Sequence, residues 1–281
     1  GLRPTVGRYP GAGVMPITPR WDTGGPLART VADLILFDSV LKAGRSVLAP
    51  PPLRGVRMGI ADYFLGDLHP EVARVTTEAL GKLESAGAVL VRADIPKEMR
   101  VGTELTRTIN LYETAKNMSA FLTLQGAGLS FEDLVSQASS DIQSLFRDRV
   151  VPGAPNAVTQ EQYESAVAQL APLRKAVRRY FVDHGVVMLA FPAVRMPPPL
   201  IGEDKEVEIL GLKVPIRAAM GRNLGQGSCA GMPCLVLPAG MTSTGLAIGF
   251  EFDALPGQDR ELLALGLSLE KALGPIPAPI I

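Results

Sequence analysis

Histidine and cysteine are both scarce in this 281-residue chain: two histidines, His69 and His184, and two cysteines, Cys229 and Cys234. With so few imidazoles and thiols, and no H-x-x-x-H or C-x-x-C spacing, no metal motif can be read, and neither metal nor cofactor is expected. Two cysteines make no disulfide framework, so a reducing, cytoplasmic compartment is the expectation. An excess of charge is missing too. Lys plus Arg and Asp plus Glu number 28 each, which removes the electrostatic case for nucleic acid or an anionic membrane surface. No apolar run approaches the roughly 18 residues of a membrane span, and the first residues do not show the pattern of a secretory signal. No repeat, low-complexity tract or linker composition interrupts the chain.

What is present is globular. Apolar residues at 47% against 20% charged suit a chain that buries a core. LARTVADLILFDSVLKAG (27–44) places Leu27, Val31, Leu34, Ile35 and Leu41 on one helical face, with Pro26 in the first turn and Gly44 at the end. GVRMGIADY (55–63), HPEVARVTTEALGKLESAG (69–87) and AVLVRADI (88–95) read as strand, helix and strand, a βαβ unit with a parallel pair.

Residues 97–150 read as mostly helical, with Ser130 and Asp133 forming a capped start. After the loop at 150–158, Thr159 opens a long helix in which Pro172 is a kink or break. GVVMLAFP (185–192) is a buried strand, 206–216 a hairpin about Gly211, 234–240 and 245–254 two further strands, and 257–274 a closing helix. The fold class expected is α/β: a mixed, largely parallel sheet core flanked by helices. It forms a single domain over 1–281 with a helix-rich insertion around 97–184.

No self-sufficient catalytic set is visible. GSCAG (227–231) fits a G-x-nucleophile-x-G elbow with Cys229 as nucleophile, but an elbow leads from strand into helix and here a strand follows. The competing reading is a small-residue loop holding a buried thiol. Gly225, Gly227 and Gly231 suggest a phosphate cradle, yet the spacing is wrong for a dinucleotide fingerprint and no Walker lysine follows. His184 suits a helix C-terminus, and His69 before Pro70 a helix start. Asp22, Arg29 and Asp33 form either an acid–base set or a cap (Asp22 or Thr23) with Arg29 tying the helix to a neighbour.

GLRPTVGR (1–8), Pro16 and DTGGPLARTVADL (22–34) resemble the amidase signature family just downstream of its signature. VVMLAFPAVRMPPP (186–199), GSCAGMPCLVLPAGMTSTGLAIGFEF (227–252) and GQDRELLALGLSLEKALG (257–274) resemble its distal half, with Ala247 where the family usually has Pro. The likeness covers roughly residues 1–45 and 187–281.

The resemblance implies an amidase that hydrolyses the C–N bond of a small carboxylic amide by a Ser–cis-Ser–Lys mechanism. In that scheme a neutral lysine relays protons through the second serine, and no histidine is needed. Its triad lies upstream of GLRPT, so the expectation is a C-terminal portion with no catalytic residue of its own, inert alone, whose first residues read as core because they are core in the parent. Residues Gly227, Ser228 and Cys229 are expected in a loop near the acyl site. Gly221 stands where glutamine-dependent members carry Asp, which disfavours free glutamine, and the wording resembles members acting on arylacetamide-type amides. The expected partner is a small-molecule amide, with a homodimer left open. Two alternatives stand: a non-catalytic binding or scaffold protein on the same fold, and a hydrolase using a nucleophile among Ser228, Cys229 and Ser243.

Overall fold

The computed structural model describes residues 1–42, 48–202 and 205–275. A two-residue strand, β1 (Leu2–Arg3), is followed by α1 (Val31–Leu41), β2 (Arg57–Ile60), α2 (Asp62–Leu65), α3 (Pro70–Ser85) and β3 (Val89–Arg92). Six helices come next: α4 (Lys97–Arg100), α5 (Gly102–Leu124), α6 (Phe131–Ser136), α7 (Ser140–Arg149), α8 (Gln160–Ala168) and α9 (Leu170–His184). The chain then runs through β4 (Met188–Pro192), the hairpin β5 (Glu206–Ile209) and β6 (Leu212–Pro215), α10 (Ile216–Gly221) and α11 (Gly225–Ala230). It closes with β7 (Cys234–Met241), β8 (Ala247–Asp253) and α12 (Asp259–Leu273).

The main sheet has six strands in the order β1-β7-β8-β4-β2-β3. The expected βαβ unit is there, with β2 and β3 parallel around α3, and β4 extends the parallel half beside β2. β8, β7 and β1 then add on antiparallel. The α/β class and the mixed sheet hold, but the sheet is less parallel than expected. The reason is local: the short turn between β7 and β8 makes a hairpin, and hairpins pair antiparallel. All five residues of β4 are buried, as a central strand covered on both faces requires.

One face carries Met58, Ile60, Met188, Leu235, Leu237, Phe250 and Phe252, packed under α1, α3 and α12. The other carries Leu189 and Phe191 beneath α5, α9 and α11, with Trp21, Met99, Ile109, Leu173 and Cys229 in the same cluster. Among the described residues no helix is long and apolar enough to cross a membrane.

The capped start of Ser130 with Asp133 formed as the sequence suggests, Thr159 opens α8 as expected and gains Gln162 as a reciprocal capping partner, and the hairpin turns at Leu210-Gly211. Two boundaries differ. α1 starts at Val31 because the Thr30 hydroxyl caps the Asp33 amide, which leaves Leu27 exposed ahead of the helix and Pro26 outside it. The Pro26 carbonyl instead accepts from the Leu2 amide at 3.0 Å. The proposed end at Gly44 lies outside the described residues. The break assigned to Pro172 falls at Gln169, between α8 and α9, because a proline lacks the N–H for the carbonyl four residues back and its ring clashes with it.

Segment 5–9 fastens the chain start to two helices. The Arg8 guanidinium donates from Nε and Nη2 to the two Asp38 oxygens, both at 2.7 Å, and the Tyr9 hydroxyl adds a third donor at 2.8 Å. Thr5 binds Asp259, at the start of α12, through its amide at 2.8 Å and its hydroxyl at 2.6 Å. Asp38 is buried. Burial pushes its carboxyl pKa up, but the Arg8 and Tyr9 hydrogen bonds outweigh this and hold it below the ordinary value of 3.8. The stability it contributes is therefore complete above that value and is lost as pH falls through the lower, folded-state one. Asp38→Ala, which leaves Arg8 only its longer pair with Asp259 at 3.7 Å, should cost about 3 kcal/mol in urea unfolding at neutral pH. The gap to wild type should narrow in acid; a cost below about 1 kcal/mol would mean the clamp is solvated.

Candidate functional site around α11

The three residues singled out from sequence, Gly227, Ser228 and Cys229, lie in α11 and not in a loop. Their small side chains did not suggest a helix. The structure makes one because bare backbone is what fits there. A Cβ on Gly225 would sit 2.3 Å from the Cα of Thr103 in α5, so the two backbones touch with nothing between them. α11 ends at Gly231, whose left-handed φ of 70° favours glycine. Met232 and Pro233 then lead into β7.

Of the three, Ser228 is partly exposed and the others are buried. The Ser228 hydroxyl donates to the Leu224 carbonyl at 3.2 Å, the ordinary habit of a serine within a helix. Cys229 Sγ donates to the Gly102 carbonyl at 3.3 Å and lies 3.1 Å from the Thr106 hydroxyl. The Arg174 guanidinium holds the Cys229 carbonyl at 3.0 Å. Burial pushes the Cys229 thiol up, more than Thr106, Arg174 and Arg3 pull it down. A thiol kept protonated is a poor nucleophile, so the elbow geometry and its chemistry are both lacking. Among the described residues no serine, threonine or cysteine side chain hydrogen-bonds a histidine: His69 caps α3 through Nδ1, accepting from the Glu71 amide, and His184 closes α9.

Beneath α11 the sheet carries an acidic group that the sequence reading passed over. Register places Leu189, Asp253, Cys234 and Arg3 in one cross-strand row, with Phe191, Glu251 and Val236 in the next. Glu251 and Asp253 are only 4% and 2% exposed. Burial pushes both carboxyls up, and the neighbouring Asp253 charge raises Glu251 further. Cys234 is raised as well, by burial and then by these two acids. Cys234, Glu251 and Asp253 each bring a donor atom within 4.8 Å of the other two. The Arg3 guanidinium beside them donates to the carbonyls of Met232 at 2.6 Å and Trp21 at 3.2 Å. The E-x-D alternation at 251 and 253 was the available signal, since residues two apart in a strand share a face.

A cavity of about 640 Å³ lies beside the end of α11, lined by Val6, Tyr9, Val14, Phe121 and Leu124 with Asp22, Thr23 and Asn117 among its polar members. Val6 joins the two regions, its Cγ2 lying 3.6 Å from where a Gly231 Cβ would stand. The loop over the cavity is tied down on its far side. Asp22 accepts from the amides of Ile17 and Thr18 at 2.6 and 2.9 Å. Arg20 and Tyr163 both donate to Glu113 Oε1 at 2.7 Å, and the Trp21 indole donates to Asn110 at 3.0 Å. Asp22 thus organises a turn; no acid–base set forms with Arg29 and Asp33, since Asp33 receives the Thr30 hydroxyl in the α1 cap.

The Amidase family profile matches residues 1–263. The chain belongs to that family. It is 32% identical over 288 residues to the mandelamide hydrolase of Pseudomonas putida, covering 99% of this chain and 55% of that protein. It is 33% identical over 275 residues to the indoleacetamide hydrolase of Agrobacterium vitis, covering 97% and 58%. The chain thus spans little more than half the length of these relatives. Among solved structures, a crystal structure of an amidase superposes with a TM-score of 0.78 at 26% identity, over 97% of this chain and 58% of that one. The peptide amidase from Stenotrophomonas maltophilia, at 24% identity and a TM-score of 0.67, shares the fold.

Two outcomes follow from this packing. Gly225→Ala should destabilise by about 2–3 kcal/mol, since the added methyl meets backbone that has no rotamer to yield; an unchanged urea midpoint would refute the close approach. In the native chain at neutral pH neither thiol should react with a disulfide reagent on the timescale of a free thiol, while both should react in denaturant. Rapid native modification of Cys229 would restore the thiol-nucleophile reading.

Proposed function

We propose that these residues form part of an amidase that hydrolyses the C–N bond of a small carboxylic amide, with arylacetamide-type amides as the preferred class. The observation that carries this is the apolar cavity beside α11 in a chain of the amidase family. A cavity lined by Val6, Tyr9, Phe121 and Leu124 suits an aryl group, and the printed names of two relatives, mandelamide hydrolase and indoleacetamide hydrolase, describe enzymes acting on such amides. In this reading α11 presents Ser228 at the rim of the acyl site, while Gly227 fixes its backbone on the sheet and Cys229 fixes it on α5.

The reaction needs a nucleophile, a proton for the leaving amine and donors for the tetrahedral oxyanion. Among the described residues no serine or threonine hydroxyl is hydrogen-bonded to a histidine or lysine, so the proposal assigns them scaffold and substrate pocket and assigns the catalytic groups to other residues of the polypeptide. The second reading, a scaffold or binding protein on the same fold, draws on that same lack. We place the protein in the cytoplasm, in keeping with two cysteines that form no disulfide.

Ammonia release from phenylacetamide and acetamide separates the readings in the polypeptide that carries these residues. Phenylacetamide should be the better substrate, and Phe121→Ala should lower kcat/KM for it by about tenfold while changing acetamide turnover by less than about threefold. A folded protein that hydrolyses no primary amide would favour the scaffold. Equal losses on both substrates would remove the cavity from the acyl site.

A further inference from the structure

We propose that Cys234, Glu251 and Asp253 form a structural binding site for a divalent cation of the zinc class, pinning the β7–β8 hairpin beneath α11. Two separate observations carry the site. One donor atom from each residue lies within 4.8 Å of the others, a spread that a single ion at ordinary ligand distances of about 2.0–2.3 Å can draw together. Glu251 Oε2 and Asp253 Oδ1 are buried and have no hydrogen-bond partner, although buried carboxylate oxygens are normally paired or bound to metal. The Gly227 backbone packs directly on the Asp253 carboxylate, for a Cβ there would stand 2.7 Å from Asp253 Oδ2.

The donor set narrows the ion. A thiolate is a soft ligand that magnesium and calcium avoid, whereas zinc takes sulfur and carboxylate oxygen together. Charge agrees. Two carboxylates and a thiolate are opposed by the Arg3 guanidinium, and a dication brings these four groups to neutrality. The occupant must also be small. Glu251 and Asp253 are already shut off from solvent, so a side chain of a partner cannot reach them, while an ion can replace the protons that the thiol and carboxyl groups release on binding. The three ligands come from two antiparallel strands, Cys234 and Asp253 from one cross-strand row and Glu251 from the next, so the ion would tie β7 to β8 directly under the Gly227 backbone.

The test uses cobalt as the spectroscopic probe. Chelator-treated protein is titrated with Co²⁺ and, in parallel, loaded with Zn²⁺, desalted and measured by plasma mass spectrometry. About one zinc per chain, together with a near-ultraviolet thiolate-to-cobalt band, is expected. The band should vanish in Cys234→Ser and persist in Cys229→Ser, and Glu251→Gln and Asp253→Asn should each weaken binding by at least about tenfold. Thermal melts of each variant confirm that it is folded, and the wild type should melt higher with zinc than with chelator. A folded wild type that retains under a tenth of an equivalent of metal and shows no thiolate band would overturn the site. So would a band that survives Cys234→Ser. The acids would then be holding a shared proton in place of an ion.

Discussion

The position of α11 rests on backbone meeting backbone. Gly225 lies against the α5 backbone at a distance that no side chain could occupy, and Gly227 lies close over the Asp253 carboxylate on the sheet. A six-residue helix is too short to hold its place by propensity; it stays because close packing on two sides leaves it nowhere else to go. The chain start supports this from the side, where Arg3 takes the Met232 carbonyl as α11 gives way to β7. The Thr5–Asp259 and Arg8–Asp38 bonds fix that start on α12 and α1. The apolar cavity is bounded by that same chain start, through Val6 and Tyr9, and by Phe121 and Leu124.

Elements whose signals are local could be read from the sequence. Ser130 with Asp133, Thr159 at a helix start, the hairpin turn at Gly211 and the βαβ unit all announce themselves within a few residues, and all formed. Failures came where two local signals competed. Pro26 is a good first-turn residue, but Thr30 offers a hydroxyl to the Asp33 amide, and that hydrogen bond decides where α1 begins. Pro172 marked a break correctly, yet a proline exerts its effect on the preceding turn, which moved the boundary to Gln169. α11 was missed because glycine and serine argue against helix in isolation, and the packing that favours bare backbone there involves α5, more than a hundred residues away.

The acidic cluster was illegible for a different reason. Metal motifs are recognised by spacing along one strand or helix, and here the ligands lie on two strands of a hairpin. Cys234 meets Asp253 only through the register of β7 on β8, and that register shifts at the Pro238/Gly240 bulge, so counting residues from the turn does not give it. The E-x-D pattern in a strand otherwise made of Ile and Phe was a visible oddity. A half-buried strand would have turned those acids to solvent. Because α11 covers that face, they became the most deeply buried charges in the sheet.

The two cysteines thus have separate roles despite their closeness in sequence. Cys229 sits on the upper side of α11, its thiol spent on the Gly102 carbonyl and its pKa raised, so it is packing and not chemistry. Cys234 lies below, on the sheet, with two carboxyl groups for neighbours and its thiol raised further still. A cation would reverse that balance at Cys234, since a dication stabilises the thiolate that the two acids disfavour. The same exchange would relieve the buried acids of their shared proton and set the height at which the Gly227 backbone rests. In this arrangement the position of α11 would be controlled from beneath, by residues on the sheet.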